Sequence, residues 1–388
     1  MKSIAIVKNK SLCLRDIEIC LFFKENDFKI IHVYGFNDFR KPKGKLGILL
    51  TPLYKLFYVV YFSLKIISVS DIFILDQMFG SKWLAFQLGS LFRKKVHIDF
   101  YVSEYDVRIN DRGSLLVDSR DAIILKLQEI EILKNAYVVF FLSEVDRNHI
   151  YETLGYGDDF TDNHLILPLV YSSTSNLKPF KDLSQGLDGL RLVWWGSFNK
   201  IHGLEFILSS LSIFKNTGEQ NFTLDIFGVK YEKGRKYEKI ARDLGIYERC
   251  SFNYNATFVN GLLEKHLLRN RYHLSFGLFG SMKKSSSVIS NKLVESLYYR
   301  IAHVNVNSPA IRDFENLEDA IYQVSRDPQL LAEFLTQFQN DLLEESGKIT
   351  KRVSIGSKVF ADNFSVKAFH QTLIRNYENF ISGRKISN

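Results

Sequence analysis

Short apolar runs alternating with helical patterns, in both halves of the chain, limit what this sequence can fold into more than any other feature. Residues 4–7, 29–34, 71–75, 95–100 and 137–142 are apolar runs bounded by polar or turn residues, and each reads as a buried strand. Helical periodicity fills the gaps, as at 82–92, 122–133 and 144–154. The second half repeats the scheme with runs at 190–195, 222–227, 250–253, 272–277 and 301–306. Between the halves, residues 172–189 are rich in Ser, Pro and Gly and lack periodicity, as a linker does. Strands that alternate with helices build parallel sheets covered on both faces. The expected fold is therefore α/β, with two Rossmann-like, doubly wound domains, 1–172 and 190–362, facing across a cleft. Residues 328–380 contain no strand candidate, and the last segment, 363–388, is expected to pack as a helix back toward the first domain.

A chain of 388 residues is too long for one ordinary core, and a hydrophobic content of 46% suffices for packed domains. The three cysteines, Cys13, Cys20 and Cys250, form neither a metal-ligand spacing nor an even disulfide framework, which fits a reducing compartment. The opening MKSIAIVKNK returns to polar residues too soon for a signal peptide, so a cytoplasmic location is expected. Lys and Arg total 51 against 43 Asp and Glu, a formal charge of +8. Such a balance suits nucleic acid, anionic lipid or phosphate-bearing substrates. The positive residues are dispersed without a nucleic-acid module, so no nucleic-acid partner is expected.

Residues 46–67 approach membrane-spanning length but hold Pro52, Lys55 and Lys65. A span would bury Lys55 at a cost, so a core-packing helix is expected. A second reading lays an aromatic face on the inner-membrane surface, helped by Lys41, Lys43 and Lys45.

Residues 290–297 (SNKLVESL) hold the most telling chemistry. Asn291 reads as an N-cap, placing Lys292, Ser290 and backbone N–H groups at the positive end of a helix, where an anion binds. Glu295, one turn on, can accept two hydrogen bonds from a sugar diol. A nucleotide ribose and its diphosphate would satisfy both; a solvated helix end is the plainer alternative. The preceding loop, 278–290, lies at a strand's carboxyl end and adds glycines, Lys283 and Lys284. Gly196, Ser197, Lys200 and His202 follow another strand, with His202 either reaching the diphosphate or sitting on the surface. Gly228, after Asp225-Ile226-Phe227, either gives a donor room or makes a turn. Asp158-Asp159 reads as a solvated turn, and cations with helix ends can stabilise a diphosphate unaided, so neither metal nor cofactor is expected. In the first half, Asp99, Glu104, Asp106 and Asp111 crowd one strand end. Asp99 and Asp106 are candidate catalytic carboxylates orienting an acceptor hydroxyl, or turn caps partnered by Arg108 and Arg112. His97 and His303 read as core residues, while of Trp194 and Trp195 one packs and the other lines the cleft.

Three segments, WWGSFNKIHGLE at 194–205, Lys292 to Glu295, and DFYVSEYD at 99–106 with Asn110-Asp111-Arg112, resemble bacterial GT-B glycosyltransferases of the retaining family 4. In that family a second Glu, matched here by Glu295, holds the donor ribose. Ser287 stands where the family has its first Glu, Ser197 where it usually has Arg, and His202 where it usually has Lys. Donor phosphate binding then falls to Lys200, Lys292, Lys283 or Lys284 and backbone amides. The resemblance implies transfer of a hexosyl group from a nucleotide-sugar donor to a hydroxyl of a glycan or lipid-linked acceptor. It further implies retained configuration, and the expected role is in lipopolysaccharide, capsule or other surface-polysaccharide synthesis at the inner membrane. A nucleotide-sugar epimerase of the same fold, or a non-catalytic binding subunit, are the alternatives.

Overall fold

The structure, a computed structural model, describes residues 2–10, 12–36, 51–75, 81–157, 162–173, 189–218, 221–229 and 231–381. Lys41, Lys43 and Lys45, Asp158-Asp159 and nearly all of the linker fall outside them. The chain forms two compact units. One runs to Pro168 and takes in the last helix from Phe369; the other is Leu169–Ala368.

The first unit is a six-stranded parallel sheet of order β2-β1-β3-β4-β5-β6. Its strands are β1 (Ser3–Lys8), β2 (Lys29–Tyr34), β3 (Asp71–Ile74), β4 (Lys95–Asp99), β5 (Val138–Phe141) and β6 (His164–Ile166). Val138–Phe141 is buried at every position, the pattern of a strand covered on both faces. Helices α1 (Leu14–Glu25), α2 (Thr51–Ile66), α3 (Lys82–Leu91), α4 (Arg120–Asn135) and α5 (Glu144–Leu154) connect the strands. Residues 51–66 are thus a helix that buries Tyr58, Phe62 and Ile66, spaced by four, against the core. No described helix is long and apolar enough to cross a membrane.

The second unit holds β7 (Leu190–Gly196), β8 (Phe222–Gly228), β9 (Cys250–Asn253), β10 (Leu274–Phe276), β11 (Ala302–Val306) and β12 (Tyr322–Val324), in the order β12-β11-β10-β7-β8-β9. Its helices are α6 (Leu204–Asn216), α7 (Tyr231–Asp243), α8 (Leu262–Arg269), α9 (Asn291–Tyr299), α10 (Pro328–Glu344) and α11 (Ser346–Asn363), and the last helix, α12 (Val366–Ile381), belongs to the first unit from Phe369 on. Asp327 caps α10 by accepting from the Gln329 amide, with Pro328 at its first position. Within the first unit, α12 brings Phe369 over the Arg15 guanidinium, 5.3 Å from the ring centre, and His370 to Glu18 at 3.2 Å.

Candidate donor site and the β4 carboxylates

The order of the second sheet reverses between β7 and β10, because β8 and β9 extend it to one side and β10 to β12 to the other. Loops leaving two such strands part toward opposite faces, and the crevice at their carboxyl ends is where open α/β sheets bind ligands. Residues 196–203 leave β7 and residues 277–290 leave β10, so most donor candidates share this edge. Main-chain bonds join the two loops, with Ser285 Oγ adding a contact to the Ile201 carbonyl at 3.4 Å. The Gly280 amide donates to the Ile201 carbonyl (3.0 Å) and the Phe279 amide to that of His202 (3.3 Å). Gly203 has φ +62°, and a Cβ there would sit 2.3 Å from the Phe279 carbonyl carbon; one on Gly280 would sit 2.6 Å from two carbonyl oxygens. Gly280→Ala should therefore cost about 1–3 kcal/mol, a melting temperature lower by roughly 2–12 °C in a thermal scan. An unchanged melting point would mean that the loops can part.

Helix α9 begins one residue earlier than its sequence suggests. Ser290 is the N-cap, accepting from the Leu293 amide at 3.2 Å, and Asn291 is the first helical residue, exposed. Ser is as good a cap as Asn, and its β-region backbone decides the choice. The shift leaves Lys292 and Glu295 facing inward, and both are buried. Lys292 Nζ donates to the Gly277 carbonyl (3.1 Å) and lies 4.8 Å from the centre of the Trp194 ring. Glu295 accepts from Trp195 Nε1 at 2.5 Å. Burial lowers the Lys292 ammonium to about 7 against the pull of Glu295. Burial likewise raises Glu295 to about 7, opposed by Trp195 and Lys292. Two ionisable groups thus stand near neutrality with few internal partners, ready to gain from an anion and a diol.

The ring of His202 meets Trp194 edge to face at 5.9 Å, and its Nδ1 is enclosed without a hydrogen-bond partner among the described residues. Burial, then the nearby Lys292, keeps this imidazole neutral well below the usual histidine range. Gly196 admits that ring, since a Cβ there would touch both Trp194 and His202. Ser197 is half-buried and Lys200 exposed. Lys283 is exposed and Lys284 half-buried at a short helical turn, Lys284–Ser287. Ser287 is buried with no partner for its hydroxyl among the described residues. The space at Gly228 is taken by the Phe198 ring, whose Cε2 would lie 2.0 Å from a Cβ. Phe198 adopts φ +57° and stacks on Trp194. Trp194 and Trp195 are both buried on opposite faces of β7, and His303 is a core residue bonded to Ser275 (2.9 Å) and Ser296 (3.1 Å). A second polar group went unread in the sequence: Tyr299, on α9, donates to buried Glu264 at 3.2 Å, and Ser173 also bonds Glu264.

In the first unit, Asp99 and Asp106 leave β4, one strand away from that sheet's own reversal at β1 and β3. Asp99 is fully buried, and Arg15 donates to both of its oxygens at 2.8 Å through Nε and Nη2. Arg15 Nη1 also holds the Pro168 carbonyl. This bidentate clamp joins α1 to β4 across the core, and no local sequence signal announces a pair 84 residues apart. Asp106 accepts from Asn110 Nδ2 at 2.7 Å and has an oxygen 3.5 Å from His149 Nε2 on α5. It precedes a π-helical turn, Val107–Asp111, a form that often marks functional sites. Arg108 pairs with Glu104 rather than with Asp106. Ser103 Oγ and the Glu104 amide both donate to Glu129 at 2.6 Å, and burial raises that carboxyl to about 7 although Lys82 opposes it.

No protein-family model and no curated protein matches this chain. Solved structures do. A glycosyltransferase from Rickettsia africae ESF-5 matches with TM-score 0.65 and 12% identity over 99% of each chain. Anabaena HepE in complex with UDP matches with TM-score 0.65 and 11% identity, covering 98% of this chain and 100% of that one. The lipopolysaccharide outer core galactosyltransferase WaaB in its apo form matches with TM-score 0.61 and 13% identity, over 99% and 100%. Identity this low speaks for architecture alone, and the architecture is GT-B: two doubly wound α/β units in one chain, matched end to end.

Proposed function

We propose that this chain is a glycosyltransferase that moves a sugar from a nucleotide-sugar donor to an acceptor hydroxyl. One observation carries the reading: Lys292 and Glu295 are buried, near-neutral in their titration, and set at the strand reversal of the second unit of a GT-B fold. HepE, which shares the fold, is known in complex with UDP. In this reading Glu295 accepts the ribose hydroxyls, while Lys292 and the first amides of α9 receive the diphosphate. The enclosed nitrogen of His202 gives the diphosphate a neutral donor, and Ser197, Lys200, Lys283 and Lys284 line the approach. The bond from the anomeric carbon to the diphosphate oxygen breaks as the acceptor oxygen bonds that carbon. The acceptor proton passes to the departing phosphate, so configuration is retained, and lysine charge in place of a metal stabilises the leaving group. A hexosyl donor, a glycan or lipid-linked acceptor, and surface-polysaccharide synthesis on the cytoplasmic face complete the reading.

Incubation with a panel of nucleotide sugars and lipid-linked acceptors tests it. Release of nucleoside diphosphate coupled to a glycosylated product is expected; sugar isomerisation, or binding without turnover, would replace the reading with an epimerase or a non-catalytic subunit. On the acceptor side Asp106 is the candidate, since Arg15 already occupies both oxygens of Asp99. Asp106→Asn should lower turnover by about 10²–10⁴ while nucleotide affinity and melting temperature hold. Full turnover in that variant, or joint loss of stability, makes Asp106 scaffolding.

A further inference from the structure

Helix α2 is apolar on two faces. Opposite the buried Tyr58, Phe62 and Ile66, its outer face exposes Leu53, Leu56, Phe57, Val60 and Leu64, with Ile67 just beyond. Leu64 is 69% and Ile67 71% exposed, and together with their neighbours they make a contiguous apolar patch, which a single exposed leucine would not. The helix carries no acid, and Lys55 and Lys65 are its only charges. The stripe ends beside a cavity. Lys94 Nζ reaches the Ile67 carbonyl at 3.4 Å, and Arg93, Lys94 and Lys95 line an open cavity of about 320 Å³ with Ser90, Asn135 and Asn163. Leu91, 73% exposed, and Phe92, 39% exposed, stand in the sequence between the lining residues Ser90 and Arg93. The cavity opens beside the first residue of β4, at the opposite end of that strand from Asp99. Asp71, opposite Lys95 in the β3–β4 ladder, is already engaged by His97 at 3.1 Å and by Ser70.

We propose that this face docks on an anionic lipid bilayer, with α2 lying in the interface plane and one lipid phosphate seated among Arg93, Lys94 and Lys95. Charge complementarity selects the occupant: an apolar stripe that ends in three consecutive cations matches acyl chains beneath a phosphate layer. A second copy of this chain would bring like charge to like charge. As described, Thr51–Ile66 is too short to span a bilayer, and the proposal lays it on the membrane.

The test is co-sedimentation of the full chain with vesicles of phosphatidylcholine alone, and of phosphatidylcholine with about one-third phosphatidylglycerol. Binding is expected only to the anionic vesicles, weakening as salt rises. Arg93→Gln with Lys94→Gln should lower that partition about 30-fold, and Leu64→Glu with Ile67→Glu at least as much, with melting temperatures unchanged. Inorganic phosphate substituted for chloride at constant, low ionic strength should leave most of the vesicle binding in place, because it does not engage the apolar stripe. Equal partition of wild type and variants, or none at low salt, overturns the proposal. So does a concentration-dependent dimer abolished by Leu64→Glu, or tight binding of free phosphate without partition. The proposal does not rest on sugar transfer, and a non-catalytic chain would give the same vesicle result.

Discussion

Lys292→Met is expected to weaken nucleoside diphosphate binding roughly 10- to 150-fold, because it removes a charge-assisted bond made in a desolvated setting. Glu295→Ala should cost about 5- to 150-fold through the lost ribose contacts. Calorimetric titration with UDP and other nucleoside diphosphates checks both, and unchanged affinity in both variants would rule out this site. The pH dependence carries more information. An anion binds the ammonium form of Lys292, which sits near 7 in the free protein, so binding above that pH takes up a proton and affinity falls about tenfold per unit. A diol binds the carboxylate of Glu295, so affinity also falls below about 7. Lys292→Met should lose the alkaline limb and keep the acid one.

The same pair makes an unusual statement about stability. Lys292 is lowered from 10.5, so protonating it in the fold costs stability as pH drops from 10.5 through 7. Glu295 is raised from 4.5, so ionising it costs stability as pH climbs from 4.5 through 7. The two costs meet near neutrality. Replacing both, as Lys292→Met with Glu295→Gln, should leave the protein as stable or up to about 4 kcal/mol more stable while donor binding is lost. A double variant that unfolds would show instead that the pair holds the fold.

Arg15→Met should destabilise the first unit by about 3–5 kcal/mol, because it strands the fully buried Asp99 carboxylate. Its melting transition would drop by roughly 6–20 °C. Arg15→Met combined with Asp99→Leu should recover much of that loss, since no charge is then left unpaired. Differential scanning calorimetry of the single and double variants decides the matter. A mild Arg15→Met would mean that the clamp contributes little, returning Asp99 to the acceptor candidates.

The alternation of strands and helices was legible because buried parallel strands are nearly pure apolar runs. The spans 29–34, 250–253 and 144–154 agree with the structure residue for residue. Unread were β6 and β12, edge strands of three residues whose ladders are set by neighbours and not by their own pattern. Lys292 and Glu295 were legible because their spacing follows a helix start. Their burial was not, since it depends on Trp194, Trp195 and Gly277, brought from other strands. Arg15 and Asp99, Ser103 and Glu129, and Tyr299 and Glu264 were illegible for the same reason: each is a long-range bond with no local grammar.

The seam between the loops of β7 and β10 bears on how such a protein can change over evolutionary time. Because the seam is closed by main-chain bonds from Phe279 and Gly280 to His202 and Ile201, with Gly203 and Gly280 leaving room for the close approach, it asks nothing of the side chains at Ser197 or Lys200. On the proposed reading, those positions could drift toward a new sugar or a new base while the frame that presents them stays put. Mutational tolerance should therefore be steeply uneven along one short stretch, near zero at the two glycines and broad a few residues away. A lineage built this way can exchange its specificity in small steps, each of them still folded.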